Sequence, residues 1–221
     1  MITVAQAVEK IIKNSPFIED ALFDGLINVS SLARKIKSEV EVILKKEVKQ
    51  GAIVMAINRL SPSEYLRINT KIKFFLQSLG DIVVRSGLSD YTFAYSDELT
   101  IKQTKLLKLL HRNKDVFCTF SQGVSERTVI ISTTFKKEME RIFKEEKILA
   151  VKEELSSITI RLPKENVEIP GVYYFILKKL AWEGINLVEI ISTTNEFTLV
   201  VNDKYVDQTF SLLMRLKKEG E

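Results

Sequence analysis

Cysteine and histidine are nearly absent from this sequence, in which Cys118 and His111 are the only residues of their types among 221. One cysteine cannot form an internal disulfide, which favours a reducing compartment, and we expect a cytoplasmic protein. A single histidine and a single cysteine also cannot supply the ligand set of a structural zinc site. The sequence therefore predicts neither a metal site nor a cofactor.

Long apolar runs and clustered glycines are missing as well. No hydrophobic stretch approaches the ~18 residues of a membrane-spanning helix, and no basic segment precedes an apolar core at the N-terminus, so we expect no membrane partner. The glycines stand at least seven residues apart, which excludes GxGxxG and P-loop motifs. Because the sequence also lacks a pattern of nucleophile and base, we predict a protein without enzymatic activity.

The N-terminal third follows a helical pattern. Residues 3–60 place apolar side chains at helical spacing, with Ser30 as the predicted N-cap of a long second helix. The stretch 51–60 is apolar almost all round, which predicts an enclosed helix. A further helix is predicted from residue 64 to residue 79, before Gly80. We therefore expect an all-helical domain over residues 1–80.

After residue 81 the pattern becomes mixed, and the order strand–helix–strand–strand–helix occurs twice. Strands are predicted at 82–86, 91–96, 116–122, 127–133, 148–154, 157–163, 186–192 and 196–202, and helices at 100–113, 135–146, 171–183 and 205–218.

This repeat predicts an α+β fold of two ferredoxin-like βαββαβ units, at residues 81–155 and 156–221. The second unit ends on a helix and lacks a fourth strand. Strand 82–86 precedes the first unit, separated from it by a predicted turn at 87–90, and is free to supply that strand. We therefore expect it to join the sheet of the second unit, so that the two units interlock.

Two segments carry a family resemblance. "PGVYYFILKKLAWEGINLVEIISTTNEFTLVV" (170–201) and "VFCTFSQGVSERTVIIS" (116–132) resemble the tandem ACT domains at the C-terminal end of aspartate kinases. The resemblance covers about residues 82–218 and leaves out the kinase domain, whose place is taken by the helical residues. Those helices, through "INVSSLARKI" and "GAIVMAINRL", resemble small predicted ACT-containing regulators of amino-acid metabolism.

The resemblance implies a regulatory protein that senses a small amino acid between paired ACT-like units. Gly171 would let the backbone approach a ligand, and the N–H groups that follow it at the helix start favour a carboxylate. Asn186 can both donate and accept hydrogen bonds, as an α-amino acid requires. The alternative without ligand binding is that Pro-Gly forms a tight turn and that Asn186 only caps the end of a helix. The predicted ligand-binding residues are Gly171, Val172, Tyr173, Asn186, Ser192, Thr193 and, implied by the resemblance, Gln122.

The first unit departs from this pattern, because "SDELT" replaces the Pro-Gly turn and its Asp97 and Glu98 would repel a carboxylate. At most one site of a pair is therefore expected to be intact. Exposed sheet edges in such small units favour edge-to-edge association, and we expect a homodimer through the ACT units.

Two other functions remain open at this point. From Arg34 to Lys73 there are 10 basic and 4 acidic residues, so the chain could be a DNA-binding transcriptional regulator that uses its basic helices. This reading is less favoured, because the stretch 51–60 offers only Asn58 and Arg59 to base edges. The third reading is a structural partner subunit of a metabolic enzyme.

Overall fold

The computed structural model describes residues 2–60 and 71–218. Contacts between residues group the chain into two compact units, Met1–Thr70 and Lys71–Glu221. This boundary lies earlier than the predicted end of the helical domain at residue 80, because the helix at 71–77 packs its apolar side chains into the core of the second unit. Within the described ranges, no helix is both long and apolar enough to span a membrane.

The first unit consists of helices α1 (Val4–Lys13), α2 (Pro16–Phe23), α3 (Val29–Leu44) and α4 (Gln50–Asn58). Thr3 caps α1 through a reciprocal pair of hydrogen bonds with Gln6. Asn28 caps α3, and its side-chain oxygen accepts from the Ser31 N–H at 3.0 Å. The N-cap therefore lies two residues before the predicted Ser30, since Asn28 reaches the N–H of the third residue along the helix.

Helix α4 is less enclosed than its sequence predicts. Ile53, Ala56 and Ile57 are buried against α1 and α3, whereas Met55 is 53% exposed. A short helix on two neighbours buries only one face, so an apolar composition all round did not mean burial all round. The predicted start of the next helix, at residue 64, lies outside the described residues.

The second unit contains a six-stranded antiparallel sheet in the order β2-β3-β1-β4-β6-β5. Helix α5 (71–77) comes first along the chain. The strands are β1 (Ile82–Ala94), β2 (Cys118–Gln122), β3 (Glu126–Ser132), β4 (Ile148–Arg161), β5 (Leu187–Ser192) and β6 (Glu196–Asn202), and the other helices are α6 (Glu98–Leu110), α7 (Lys136–Ile142), α8 (Val172–Trp182) and α9 (Val206–Lys218). The predicted helices and the two predicted hairpins of this unit are confirmed to within a few residues.

The predicted breaks near residues 87–90 and 155–156 are wrong, because β1 and β4 each continue through them as one strand. The register of β1 against β4 shifts between Arg85 and Leu88, where Gly87 has φ +69°. Glu154, close to this point on β4, has φ +55°. Residues typical of turns also permit a β-bulge, which bends a strand without reversing it.

The bends divide the sheet into two half-sheets. The first half-sheet comprises β2, β3 and the adjoining ends of β1 and β4, and the second comprises their other ends with β6 and β5. Helices α6 and α7 share a core with the first half-sheet, and α5, α8 and α9 share one with the second. Side chains of the opposite faces form a separate cluster that joins the two half-sheets: Leu88, Ile130, Leu155 and Val200.

Candidate functional site

Helix α8 begins at Gly171, which has φ +88°. This left-handed conformation strains residues with a Cβ atom, so the turn favours glycine at this position. Val172 is buried in the core of the second half-sheet, so only its backbone could contact a ligand. The N–H groups of the first helical turn have no partner within the helix and make this end of α8 favourable for an anion.

Tyr173 connects the start of α8 to the end of β5. Its hydroxyl oxygen lies 2.8 Å from Ser192 Oγ, and its ring centroid lies 4.7 Å from that of Phe197. The Tyr173 side chain is 37% exposed and Ser192 is exposed, so a ligand can reach both hydroxyls. Thr193 follows directly, with its N–H donating to the Glu196 carbonyl at 2.9 Å. Gly171, Tyr173, Ser192 and Thr193 therefore form one group.

Asn186 lies at the other end of β5. Asn186 is exposed. The residue before it, Ile185, donates its N–H to the Leu180 carbonyl near the end of α8. Ser192 is six positions further along the chain, about 20 Å on an extended strand. Because α8 and β5 run in opposite directions, a single amino acid cannot contact both Asn186 and Tyr173 of one chain.

Gln122 ends β2 and is held by an internal hydrogen bond. Its side-chain oxygen accepts from Nη2 of Arg127, whose Nη1 donates to the Gln103 side-chain oxygen at 3.0 Å. Arg127 is 3% exposed and connects the β2–β3 hairpin to α6. Gln122 therefore stabilises the first half-sheet through Arg127. It is also far from the Tyr173 group in the sequence.

Ser192 also lines a cavity that the sequence did not reveal. The cavity has a volume of about 180 Å³ and lies between the β2–β3 hairpin and β5. Its lining includes Glu189, Thr119 and Ser121, which sequence reasoning missed. The alternating hydroxyl residues Thr119 and Ser121 are visible in the sequence of β2. Their position opposite β5 follows only from the bend of the sheet.

Two further reactive side chains, Cys118 and His111, lie outside the group at the start of α8. Burial raises the pKa of the Cys118 thiol to about 12, which keeps it protonated at neutral pH. His111 is exposed at the C-cap of α6. In the part of the chain that the structure describes, no three His, Cys, Asp or Glu side chains are grouped to hold a metal ion.

Comparisons with known proteins identify solved structures with a similar fold. No protein-family model and no curated protein matches the sequence. Among solved structures, the regulatory subunit of aspartate kinase from Thermus thermophilus, in its ligand-free form, matches with a TM-score of 0.51 and 10% identity, covering 63% of this chain and 98% of that one. Over that 63% of its residues, the chain shares the fold of an aspartate-kinase regulatory subunit.

Two further structures have the same fold. The aspartokinase alpha and beta subunits match with a TM-score of 0.50 and 13% identity, over 64% of this chain and 99% of that chain. The aspartate kinase of Clostridium acetobutylicum matches with a TM-score of 0.50 and 13% identity, over 61% of this chain and 34% of that enzyme. At this identity the likeness concerns the fold, and the regulatory-subunit fold is what the resemblance of the two sequence segments implied.

Proposed function

We propose that this chain is a non-catalytic, cytoplasmic regulatory protein that senses a small amino acid through paired ACT-like units. The observation that carries the proposal is the group at the start of α8, where Tyr173 meets Ser192 beside the left-handed Gly171 turn. It lies on a fold shared with regulatory subunits of aspartate kinase.

The second compact unit consists, in this proposal, of two interlocked ferredoxin-like units with their division near residue 155. The pairing of β1 supports this arrangement, because its residues 82–85 face residues 157–160 of β4, which in turn face β6. Residues 88–94 of the same strand pair with β3. Each half-sheet thus has four strands only because β1 and β4 contribute to both.

The chemistry of the site fits an α-amino acid. The ligand carboxylate would accept from the N–H groups of Val172 and Tyr173 at the start of α8. The hydroxyls of Ser192 and Thr193 would contribute further hydrogen bonds. Asn186 would bind the α-amino or carboxylate group with its amide, which can both donate and accept.

A second copy of the chain would supply Asn186. Among the described residues β5 pairs only with β6, and a partner strand would add to its other edge, which borders the cavity beside the β2–β3 hairpin. If two β5 edges pair antiparallel about a two-fold axis, Asn186 of one copy lies near Ser192 of the other.

The exposed face of α8 beside this edge supports the same homodimer. Tyr174 is 46% exposed and Trp182 is 74% exposed. Exposed aromatic side chains of this kind are enriched at protein interfaces. The ligand would therefore sit between copies and couple its binding to their association.

Thermal denaturation against each of the twenty amino acids at millimolar concentration tests the proposal. A ligand at 100 times its dissociation constant stabilises the native state by about 2.7 kcal/mol. We expect one or two amino acids to raise the Tm, an effect lost in Asn186→Ala and kept in Asn14→Ala, an exposed asparagine of the first unit. A flat panel would contradict amino-acid sensing.

Neither alternative function has support from the three solved structures described above, which are an aspartate kinase and aspartokinase subunits. The exposed lysines 45, 46 and 49 are compatible with a solvated helix end.

A further inference from the structure

The cavity between the half-sheets is built from two strands that are far apart in the strand order. Strands β2 and β5 form opposite edges of the six-stranded sheet, yet both line this space of about 180 Å³. The bends at Gly87 and Glu154 bring them together, and the cluster around Leu88 and Leu155 packs between the half-sheets. The cavity therefore has walls fixed by a hydrophobic core.

The lining combines hydroxyl groups with aliphatic side chains and a single charge. Four of the lining residues carry hydroxyls (Thr119, Ser121, Thr128 and Ser192) and three are isoleucines (Ile130, Ile190 and Ile191). On β5, Glu189 and Ile191 project from one face of the strand, and Ile190 and Ser192 from the face that packs on α8. Among the described lining residues Glu189 is the only charged one, and its ionised carboxylate accepts hydrogen bonds but donates none. The charge of the lining is therefore negative.

A second carboxylate, that of Asp90, projects from the sheet face that carries two of the lining residues. Asp90 is directly opposite Ile130, which is directly opposite Thr119, so the three side chains project from the same face of the sheet. Asp90 is 2% exposed, and its Oδ1 has no hydrogen-bond partner among the described residues. A buried carboxylate oxygen without a donor is costly unless something supplies one.

The charge of Glu189 also acts on Asp90. Burial is the main cause that raises the pKa of Asp90, and the negative charge of Glu189 raises it further. Lys152 opposes this, with its Nζ 3.8 Å from Asp90 Oδ2, but that lysine side chain is half exposed. A cation in the cavity would relieve the repulsion between the two carboxylates.

We propose that this cavity binds a small aliphatic primary ammonium ion, held by Glu189 and the surrounding hydroxyls. Asp90 adds a buried negative charge on the sheet face that carries Thr119. An ammonium group has three donors and no acceptor, which suits a lining of carboxylate and hydroxyl oxygens. The volume equals that of about six water molecules in the liquid, enough for a short alkyl chain against the isoleucines.

This ligand differs from the one in the proposed function. An α-amino acid carries a carboxylate next to its ammonium group, and in this cavity that carboxylate would be repelled by Glu189 and Asp90. The site therefore selects amines over amino acids of the same chain length. Its existence does not depend on amino-acid sensing at the start of α8.

The test measures binding of n-butylamine to the full chain at pH 7 by calorimetry, with norvaline and 1-butanol as matched ligands. Norvaline adds a carboxylate to butylamine, and butanol replaces the ammonium group by a hydroxyl. We expect butylamine to bind at least about tenfold more tightly than either, because only its charge is complementary to the carboxylates. The variant Glu189→Gln should raise the Kd for butylamine about tenfold or more.

The control Glu196→Gln removes the same charge from an exposed position at the start of β6, outside the cavity lining, and should leave the Kd unchanged. If Glu189→Gln does not fold, Thr119→Val, which removes one lining hydroxyl at equal size, takes its place and should also weaken binding. The proposal is overturned if butylamine does not bind, or binds equally well to the lining variant. Norvaline binding that is lost in Asn186→Ala but kept in Glu189→Gln belongs to the site at α8.

Discussion

Leu88 lies directly opposite Leu155 where β1 and β4 bend, and each of these side chains is 1% exposed. They belong to the cluster that joins the two half-sheets. The pair connects residues at the point where both strands pass from one half-sheet to the other. We expect the two half-sheets to depend on it for a single folded arrangement.

Leu155→Ala should therefore destabilise the chain strongly. Removing a buried leucine side chain costs about 2–5 kcal/mol, through lost burial and the cavity that remains. Urea denaturation measures the loss, and Val151→Ala is the control, since Val151 lies on the same strand but is 45% exposed. Equal losses for the two variants would contradict a central role for the cluster.

A buried ion pair at Lys102 predicts a second effect. Lys102 Nζ lies 2.6 Å from Glu146 Oε1, and Ser96 Oγ donates to Glu146 Oε2 at 2.6 Å. Lys102→Met leaves this carboxylate buried without a cation, which costs about 3–5 kcal/mol. The exposed pair Lys37–Glu41 provides the control, and Lys37→Met should cost less than about 1 kcal/mol.

The contribution of Glu146 should depend on pH. Burial alone would raise the pKa of Glu146, but the hydrogen bonds from Lys102 and Ser96 outweigh burial and lower it below 4.5. A lowered pKa gives stability above the unfolded value that is lost as the pH falls through the folded value. The difference in the free energy of unfolding between Lys102→Met and the native chain should shrink on acidification below pH 4.5. A difference that stays constant would contradict the ion pair as its cause.

Asp90 should show the opposite behaviour. Because burial, and to a smaller degree Glu189, raises the pKa of Asp90 above 3.8, its ionised form weakens the fold at neutral pH. Asp90→Asn should therefore increase the free energy of unfolding at pH 7, and the gain should shrink as the pH approaches 3.8, where Asp90 of the native chain is protonated. Denaturation at the two pH values tests this, with the exposed Asp115→Asn as control. A loss of stability at pH 7 would show that the ionised Asp90 is stabilised by a partner in the native chain.

Cys118 should react slowly in the folded chain. With its pKa raised to about 12, only about one thiol in ten thousand is ionised at pH 8. A chromogenic disulfide reagent should modify it slowly in buffer and rapidly in denaturing guanidinium. Equal rates in the two conditions would mean that the strand around Cys118 opens freely.

The helices and hairpins of this chain could be predicted because their signals are local. Gly171 and Gly184 flank α8, and alternation of apolar residues marks β3 and β6. The continuity of β1 could not be predicted, since Gly87 is as suitable for a turn as for a bulge. Only the pairing with β4, which lies more than fifty residues away, decides between them.

The sequence suggested residues for the candidate site but not their geometry. The approach of Tyr173 to Ser192 follows from a helix and a strand packed in opposite directions. The same packing moves Asn186 to the far end of β5. The cavity beside Glu189 depends on the curvature of a whole sheet, which no short motif encodes.

Complementation between two variants tests the proposed sensor most directly, with the amino acid that the thermal panel identifies. Asn186→Ala and Ser192→Ala should each abolish binding in their homodimers, because every site then lacks one of its residues. When the two are mixed and allowed to exchange subunits, half of the dimers are mixed and each has one complete site, so binding should return to about a quarter of the native number of sites. A mixture that stays inactive while the native chain binds would contradict a site shared between copies.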